Sequence, residues 1–311
     1  MKTAKLYEAT RRAAWAATIV LAVALIGTAG PAHAATERRE TLAGSATGGT
    51  TRTPTPVAPG EVQLMRGFDL RYLNGDHHID TIQVLPETDG DLAITFDDRN
   101  GDDPMQYLVS LTKVQLAGVI SPPTLSRTCS GGTCTFPLQA PPNSNYVFFL
   151  RGFRLSFLPG NVGFPFPGNC NIFVGCDHHL SIVGIELDAS GNNIAVTYKD
   201  RNGDDDYSVA IAYSYVPRSL VQRFVIVNGT VDDAGTDHND LRGGNSGAVA
   251  IRGFRIGYVP VFTGGFPPTT LPDNHILRFR YQLTSTGVDV AFHDNNPGTN
   301  WSYKLHFARF R

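Results

Sequence analysis

The stretches RGFDLRY at residues 66–72, RGFRLSF at 151–157 and RGFRIGY at 252–258 decide the fold of this chain. After each glycine, a Phe is followed at every second position by Leu or Ile and then by another aromatic residue. A period of two residues is typical of a β-strand with one buried face. Because the pattern returns three times, it predicts one β-strand module written three times along the chain.

Three further blocks follow each stretch in the same order. The second block reads DHHI at 76–79, DHHL at 177–180 and DNHI at 273–276. The third and fourth blocks are runs of alternating apolar residues, separated by a polar tip that contains Asn-Gly in the first two copies. Two alternating runs joined in this way predict a β-hairpin at the end of each module.

The predicted fold is all-β, with three tandem antiparallel β-sandwich-like modules. We place them at residues 61–145 with a bridge, 146–246 with a bridge, and 247–311. The bridging stretches carry extra strand-like runs, but the last copy ends without one. The bridge is therefore interpreted as lying outside the minimal module.

Two segments precede the modules. Residues 1–34 combine a basic start, an apolar run and an Ala-His-Ala exit, which predicts a cleaved signal peptide and a secreted or periplasmic bacterial protein. The alternative is a transmembrane anchor, for which the apolar run is short. No later run is apolar enough to cross a membrane. Residues 35–60 are rich in Thr, Gly, Ala and Pro, and this composition predicts a flexible linker.

The net charge of the chain indicates which classes of partner are unfavourable. The signal carries four basic residues and one acidic residue, so its removal leaves 22 basic and 27 acidic residues and a net charge of −5. A mildly acidic surface argues against nucleic acid or anionic lipid as the partner.

Four cysteines fit an oxidising compartment. They allow three connectivities, and the sequence favours two local pairs because short loops close at the smallest entropic cost. These pairs are Cys129 with Cys134 and Cys170 with Cys176.

The last two strands of each module carry a resemblance to a known family. An alternating strand, an acidic tip and a Tyr-led or Trp-led strand such as YSVAIAY at 207–213 resemble the end of an H-type lectin domain. That family is a six-stranded antiparallel sandwich that binds sugars, often as a trimer with sites between protomers. The resemblance implies that three tandem copies could imitate a trimer within one chain. It covers about a third of each module and assigns no binding residue.

The acidic tips are the first candidate site. Oxygen ligands at alternate positions of a tight turn favour Ca²⁺, and a cation would relieve the repulsion between the carboxylates. The alternative is a solvated tip whose Asp and Asn residues serve turn geometry. The candidate ligands are Asp98, Asn100, Asp102, Asp200, Asn202 and Asp204.

The Asp-x-His block is the second candidate, because all three copies keep it. It is interpreted as structural, with the alternative of a metal or ligand site in which His supplies nitrogen. Its residues are Asp76, His78, Asp177, His179, Asp273 and His275. The Arg of each RGF stretch is predicted to pair with an acid of its own module, and the following Gly to relieve a bulge or a close contact.

Aromatic loops are the third candidate. The second and third copies carry Gly- and Pro-rich insertions whose aromatic residues could contact a ligand or cover the end of a sandwich. These residues are Phe164, Phe166, Phe173, Phe262 and Phe266.

No catalytic motif stands out, and three similar modules suit multivalent binding better than one active cleft. The sequence therefore predicts a secreted, non-enzymatic binding protein whose partner is a glycan or another cell-surface component. The alternative is a structural or surface-assembly protein stabilised by Ca²⁺. The oligomeric state stays open.

Overall fold

The computed structural model describes residues 25–26, 36–73, 75, 77–98, 103–139, 145–158, 179–188, 191–200, 205–231, 235–240, 248–259, 275–284, 286–294 and 300–311. Within these ranges the chain is almost entirely antiparallel β-structure, and its helical element is one 3-10 turn at Arg218–Leu220. None of the described helical structure is long and apolar enough to cross a membrane. The predicted all-β, sandwich-like fold is confirmed. The predicted signal peptide lies outside the described residues, except for the two-residue strand β1 at Leu25–Ile26.

Three units of six strands follow β1. The first unit comprises β2 (Thr36–Thr47), β3 (Thr50–Pro54), β4 (Glu61–Tyr72), β5 (Ile79–Pro86), β6 (Asp91–Asp98) and β7 (Pro104–Gln115). The second comprises β8 (Leu125–Cys129), β9 (Thr133–Pro137), β10 (Tyr146–Phe157), β11 (Ile182–Leu187), β12 (Asn193–Lys199) and β13 (Tyr207–Pro217). The third comprises β14 (Val221–Val231), β15 (Thr236–Asp240), β16 (Val249–Tyr258), β17 (Ile276–Leu283), β18 (Gly287–Asp294) and β19 (Trp301–Phe310).

Each sheet is shared between two modules. The three strand orders are β1-β2-β7-β4-β17-β18-β15, β3-β6-β5-β10-β13-β8 and β14-β19-β16-β11-β12-β9. In every sheet, the first, sixth and third strands of one module continue into the fourth, fifth and second strands of another. Each module therefore shares one sheet with each of the other two, and the three modules close into a ring. We call the junctions β4–β17, β10–β5 and β16–β11 the seams.

The expectation of a flexible linker is wrong for residues 36–54. Strand β2 pairs with β7 along its whole length, and β3 pairs with β6. Backbone hydrogen bonds hold this segment, although Leu42 is the one large apolar side chain that it buries. The buried Lys113 also fastens it, by pairing with Glu40 and donating to the Pro56 carbonyl at 2.9 Å.

The bridges belong to the modules that follow them. Strands β8 and β9 pair with β13 and β12 of module 2, whereas β14 and β15 pair with β19 and β18 of module 3. The described strands of the modules therefore span about residues 36–115, 125–217 and 221–310, which corrects the predicted boundaries. Each bridge thus supplies the first two strands of the module that follows it, and these two strands lie in different sheets.

The predicted final hairpin is also wrong. Strands β6 and β7 lie in different sheets, as do β12 and β13, and β18 and β19. The fifth and sixth strands of a module therefore belong to different sheets and cannot form the predicted hairpin. The hairpins are formed instead by the fourth and fifth strands of each module, such as β5 with β6.

The shared core surrounds a central axis of the ring. The Phe of each RGF stretch is fully buried there, and the ring centroids of Phe68, Phe153 and Phe254 lie 5.3–5.8 Å apart. One aromatic residue from each module thus meets the other two, and no module can complete its core alone.

The disulfide between Cys129 and Cys134 is present, with the Cα atoms 5.9 Å apart. It joins β8 to β9 and confirms the first predicted local pair. Cys170 and Cys176 lie outside the described residues.

Candidate functional site

The loops of all three modules gather at one end of the ring. The third strand of each module ends there, the fourth begins there, and the fifth and sixth meet there across the polar tip. We call this the loop end. The described residues of the Asp-x-His blocks and of the acidic tips lie at this end: His78, His179 and His275, with Asp98, Asp200 and Asp294.

Three histidines meet at the centre of the loop end. The ring centroids of His78 and His179 lie 4.4 Å apart, those of His78 and His275 4.7 Å, and those of His179 and His275 5.4 Å. One nitrogen atom from each ring lies within 4.8 Å of one from each of the others, and each side chain is half-buried. Every module contributes one member of this cluster, which we call the His triad.

Each histidine of the triad is followed directly by a residue that packs in the core. The next residue is Ile79, Leu180 or Ile276, and all three are fully buried. In module 3 the carboxylate of Asp294 also accepts a hydrogen bond from the His275 backbone N–H at 2.9 Å. The half-buried imidazoles are therefore carried on backbone that packing and hydrogen bonding hold in place.

One acid of each polar tip is buried, at the end of the fifth strand or directly after it. Asp98 is 4 % exposed, Asp200 1 % and Asp294 7 %. Asp98 contacts His77, and Asp294 contacts the backbone of His275, so these carboxylates tie the tip to the Asp-x-His loop. The other predicted tip ligands, Asn100, Asp102, Asn202 and Asp204, lie outside the described residues.

A second cluster lies within module 1. His77 Nδ1 is 2.9 Å from Asp98 Oδ2 and 3.6 Å from Asp103 Oδ2. The imidazole stacks on Tyr72 with 3.7 Å between centroids, and burial, aided by nearby carboxylates including that of Asp98, raises the pKa of the Tyr72 phenol. His77, Asp98 and Asp103 could together hold a cation. In module 3 the position of His77 is taken by Asn274, so this cluster is not a feature of every module.

The arginine of each RGF stretch occupies a β-bulge. The register shifts between Met65 and Gly67, and at the same place in the other two modules. Burial lowers the pKa of both Arg66 and Arg252 to about 10. The predicted ion pair with an acid is not found among the described residues. Instead, Arg252 lies over the Phe224 ring at 4.5 Å and donates to the Phe148 carbonyl at 3.3 Å.

The glycine after each arginine allows the seam to close. A Cβ atom on Gly67 would lie 2.6 Å from the Tyr281 carbonyl oxygen of module 3. On Gly253 it would lie 2.5 Å from the Ile185 carbonyl oxygen of module 2. The prediction was that this glycine relieves a bulge or a close contact. The structure shows both, and the close contact is one between modules.

A shallow groove of about 250 Å³ lies on the outward face of the first sheet, beside the seam between modules 1 and 3. Arg71 donates to Gln106 in this groove, with Nε 2.9 Å from Oε1. Asp69 accepts from Arg278 of module 3, with Oδ1 2.8 Å from Nε, and also faces Arg280 at 3.6 Å. The residues that line the groove are Ala43, Gly44, Asp69, Arg71, Gln106, Tyr107 and Leu108.

The charged network continues along this outward face. Asp289 pairs with Arg280, and its other carboxylate oxygen lies 2.5 Å from His238 Nδ1. The hydrogen bond with Asp289 raises the pKa of the exposed His238 imidazole. Nearby, burial lowers the pKa of His293, whose Nε2 lies 3.0 Å from the Gly235 carbonyl oxygen.

Several predicted site residues cannot be placed. Asp76, Asp177 and Asp273 of the Asp-x-His blocks lie outside the described residues, as do the insertion residues Phe164, Phe166, Phe173, Phe262 and Phe266. The structure adds His77, Asp103 and the groove, which the sequence analysis did not single out. The available signal for the groove was a departure from the repeat, since Asp69 stands where the other copies carry Arg154 and Arg255.

Comparisons with known proteins add little to this description. No family model and no curated protein matches the chain. Among solved structures, the major capsid protein P2 of bacteriophage PM2 is 9 % identical with a TM-score of 0.19, over 57 % of this chain and 97 % of its own. The Sulfolobus turreted icosahedral virus structure is 10 % identical with a TM-score of 0.14, over 94 % and 90 %. A triple jelly-roll structure from an archaeal virus is 9 % identical with a TM-score of 0.13, over 94 % and 89 %. Likenesses at these scores carry no inference about this chain.

Proposed function

We propose that this chain is a secreted, non-catalytic, multivalent carbohydrate-binding protein, built as the single-chain equivalent of a trimer. The observation that supports it most is the closed ring of three six-stranded modules with shared sheets. The H-type lectin domains, which the sequences of the last two strands of each module resemble, are six-stranded sandwiches that often act as trimers. Three modules with the same strand order present three outward surfaces in one ring, and binding at more than one of them would favour avidity over single-site affinity.

We place the first sugar site at the groove beside the seam of modules 1 and 3. Arg71, Asp69 and Gln106 line it with guanidinium, carboxylate and carboxamide groups, whose paired donors and acceptors match neighbouring sugar hydroxyls. Its volume of about 250 Å³ lies below the roughly 300–1,000 Å³ of drug-sized pockets, so the groove suits a terminal sugar better than a longer chain.

The test is a glycan array probed with the chain from residue 35 onward, followed by titration of the sugars that bind. Gln106→Ala should weaken binding by about 5-fold or more, since a lost hydrogen bond to a charged or polar partner is worth about 1–3 kcal/mol. The matched control is Ser208→Ala, because Ser208 pairs with Ser156 in module 2 as Gln106 pairs with Arg71 in module 1. The control should bind like the unmodified chain.

Two outcomes would count against this proposal. Absence of binding across a broad array would remove carbohydrate as the ligand. Binding that is lost on changing Phe164 or Phe166 to Ala, but not on changing Gln106, would move the site from the groove to the aromatic insertions.

A Ca²⁺-stabilised structural protein is the second candidate. It is supported by the two carboxylates, Asp98 and Asp103, that lie together beside His77, because carboxylate oxygens are the ligands that Ca²⁺ prefers. Ca²⁺ binding would raise the melting temperature in millimolar Ca²⁺, and a chelator would reverse the shift. A melting temperature indifferent to both additions would eliminate this candidate.

A further inference from the structure

The His triad gathers three metal-ligating groups that lie far apart in the sequence. His78, His179 and His275 come from three different modules, and their rings are 4.4–5.4 Å apart between centroids. One nitrogen from each ring lies within 4.8 Å of the others. Within the described residues, this is a group of three metal-ligating side chains to which every module contributes once.

The spacing suits a metal ion at the centre of the triad. Zinc binds imidazole nitrogen at about 2.0–2.1 Å, so three nitrogens around one tetrahedral ion stand about 3.3–3.5 Å apart. The imidazoles need small rotations to reach this geometry from the present separations. Half-buried side chains on an anchored backbone can make such rotations without disturbing the strands that begin at Ile79 and Ile276.

The chemistry of the donors selects the kind of ion. Three neutral imidazoles suit Zn²⁺, Cu²⁺ or Ni²⁺, whereas Ca²⁺ and Mg²⁺ prefer oxygen ligands. Packing alone does not call for histidine here, since Phe68, Phe153 and Phe254 join the same three modules with apolar rings. All three copies keep histidine at this position although their tips and outward faces differ.

We propose that His78, His179 and His275 bind one first-row transition-metal ion per chain, with Zn²⁺ as the natural occupant. Three protein ligands leave the fourth position of a tetrahedral ion to water or to an incoming donor group. The ion would join modules whose ligands lie about a hundred residues apart, so it would close the ring at the loop end as the Phe cluster closes it within the core. This inference does not depend on carbohydrate binding.

The test starts from metal-stripped protein from residue 35 onward, titrated with Zn²⁺ against a chromophoric chelator. We expect one ion per chain and a rise in melting temperature with Zn²⁺. His179→Gln should weaken binding by at least about 100-fold, since changes that merely touch a ligand's supporting partner cost about 10- to 100-fold. Binding should also weaken at acidic pH, because a protonated imidazole cannot be a ligand.

The matched control is His238→Gln. His238 is exposed beside Asp240 and Asp289 and is the natural competitor for a surface-bound ion. This variant should retain the affinity and the single-ion stoichiometry. Unchanged Zn²⁺ affinity in His179→Gln, or loss of the ion in His238→Gln alone, would overturn the proposal.

A second variant guards against a folding defect in His179→Gln. His179→Cys keeps a ligand atom, so it should still bind Co²⁺ and should add a thiolate-to-metal charge-transfer band that the unmodified chain lacks. A Co²⁺ complex of this variant without that band would place the metal away from residue 179 and contradict the site.

Discussion

The three modules carry the same residue type at matching positions on the axis of the ring, but different residue types on the outward faces of the seams. On the axis, every module supplies the same residue type at the same repeat position: Phe68, Phe153 and Phe254 in the core. On the outward face, one repeat position holds Asp69 in module 1 but arginine in the other two. A ring needs three matching contributions where its modules meet, whereas residues that face solvent are free to differ. The axis therefore reports on assembly, and the outward faces are where modules can acquire separate roles.

The largest effect is expected from a substitution that removes a buried side chain on the axis of the ring. Phe153→Ala removes a fully buried ring that contacts both Phe68 and Phe254. We expect a loss of about 3–5 kcal/mol in the free energy of unfolding, because the cavity cannot be filled from any one module. Denaturant unfolding followed by far-UV circular dichroism measures it.

The control for the axis is an exposed phenylalanine. Phe224 is 42 % exposed and lies beneath the guanidinium groups of Arg218 and Arg252. Phe224→Ala should cost about 1 kcal/mol or less, the usual worth of a cation–π contact at an exposed site. Equal losses for the two variants would mean that the axis contributes no more than the periphery.

The next largest effect is expected where the backbones of two modules meet. A Cβ atom in Gly253→Ala would lie 2.5 Å from the Ile185 carbonyl oxygen, which belongs to an ordered strand and cannot easily move. We expect a loss of about 1–3 kcal/mol, as for other overpacked sites. Thermal and denaturant unfolding give the value.

A glycine on the facing strand of the same seam provides the matched control. In Gly184→Ala the new Cβ would meet the flexible Arg255 side chain at 3.3 Å and backbone only at 3.5 Å. This variant should be close to neutral, or slightly stabilising because alanine loses less backbone entropy on folding. A loss as large as that of Gly253→Ala would mean that the seam as a whole, and not one close approach, excludes side chains.

The sequence predicted features that depend on local pattern. The alternation around Phe68, the bulge glycine at 67 and the pairing of Cys129 with Cys134 all follow from residues a few positions apart. The structure contains all three features, because a strand face, a bulge and a short loop are determined by neighbouring residues.

The features that were missed depend on distant partners. Strand β4 pairs with β17, about two hundred residues away, and no local signal distinguishes that partner from a strand of its own module. Residues 36–47 contain one large buried apolar side chain, Leu42, so they form a strand only because β7 offers an unpaired edge. The His triad could be predicted as three equivalent residues, but not as one cluster, because they meet only when the ring closes.

A smaller effect is expected from the outward face of the first seam. Asp69→Asn weakens a two-pronged ion pair with Arg278, in which both partners are less than a fifth exposed. We expect a loss of about 1 kcal/mol, larger at low salt than at high salt. The control is Arg52→Gln, which breaks the more exposed pair with Glu87 and should cost less than Asp69→Asn. A loss of several kcal/mol in Asp69→Asn would make this face as necessary to the ring as the axis.

The finest test compares two histidines of the outward face by NMR titration. The hydrogen bond with Asp289 raises the pKa of His238, and burial lowers the pKa of His293. His238 should therefore titrate above the ordinary value of about 6.5 and His293 below it.

The contributions of these two histidines to folding stability depend on pH in opposite directions. The contribution of protonated His238 is present at low pH and is lost as the pH rises through its folded-state pKa, whereas that of neutral His293 is present at high pH and is lost as the pH falls below about 6.5. Asp289→Asn should return the pKa of His238 toward its ordinary value and leave that of His293 in place. If both histidines moved together in that variant, the outward face would act as one coupled network instead of a set of independent neighbours.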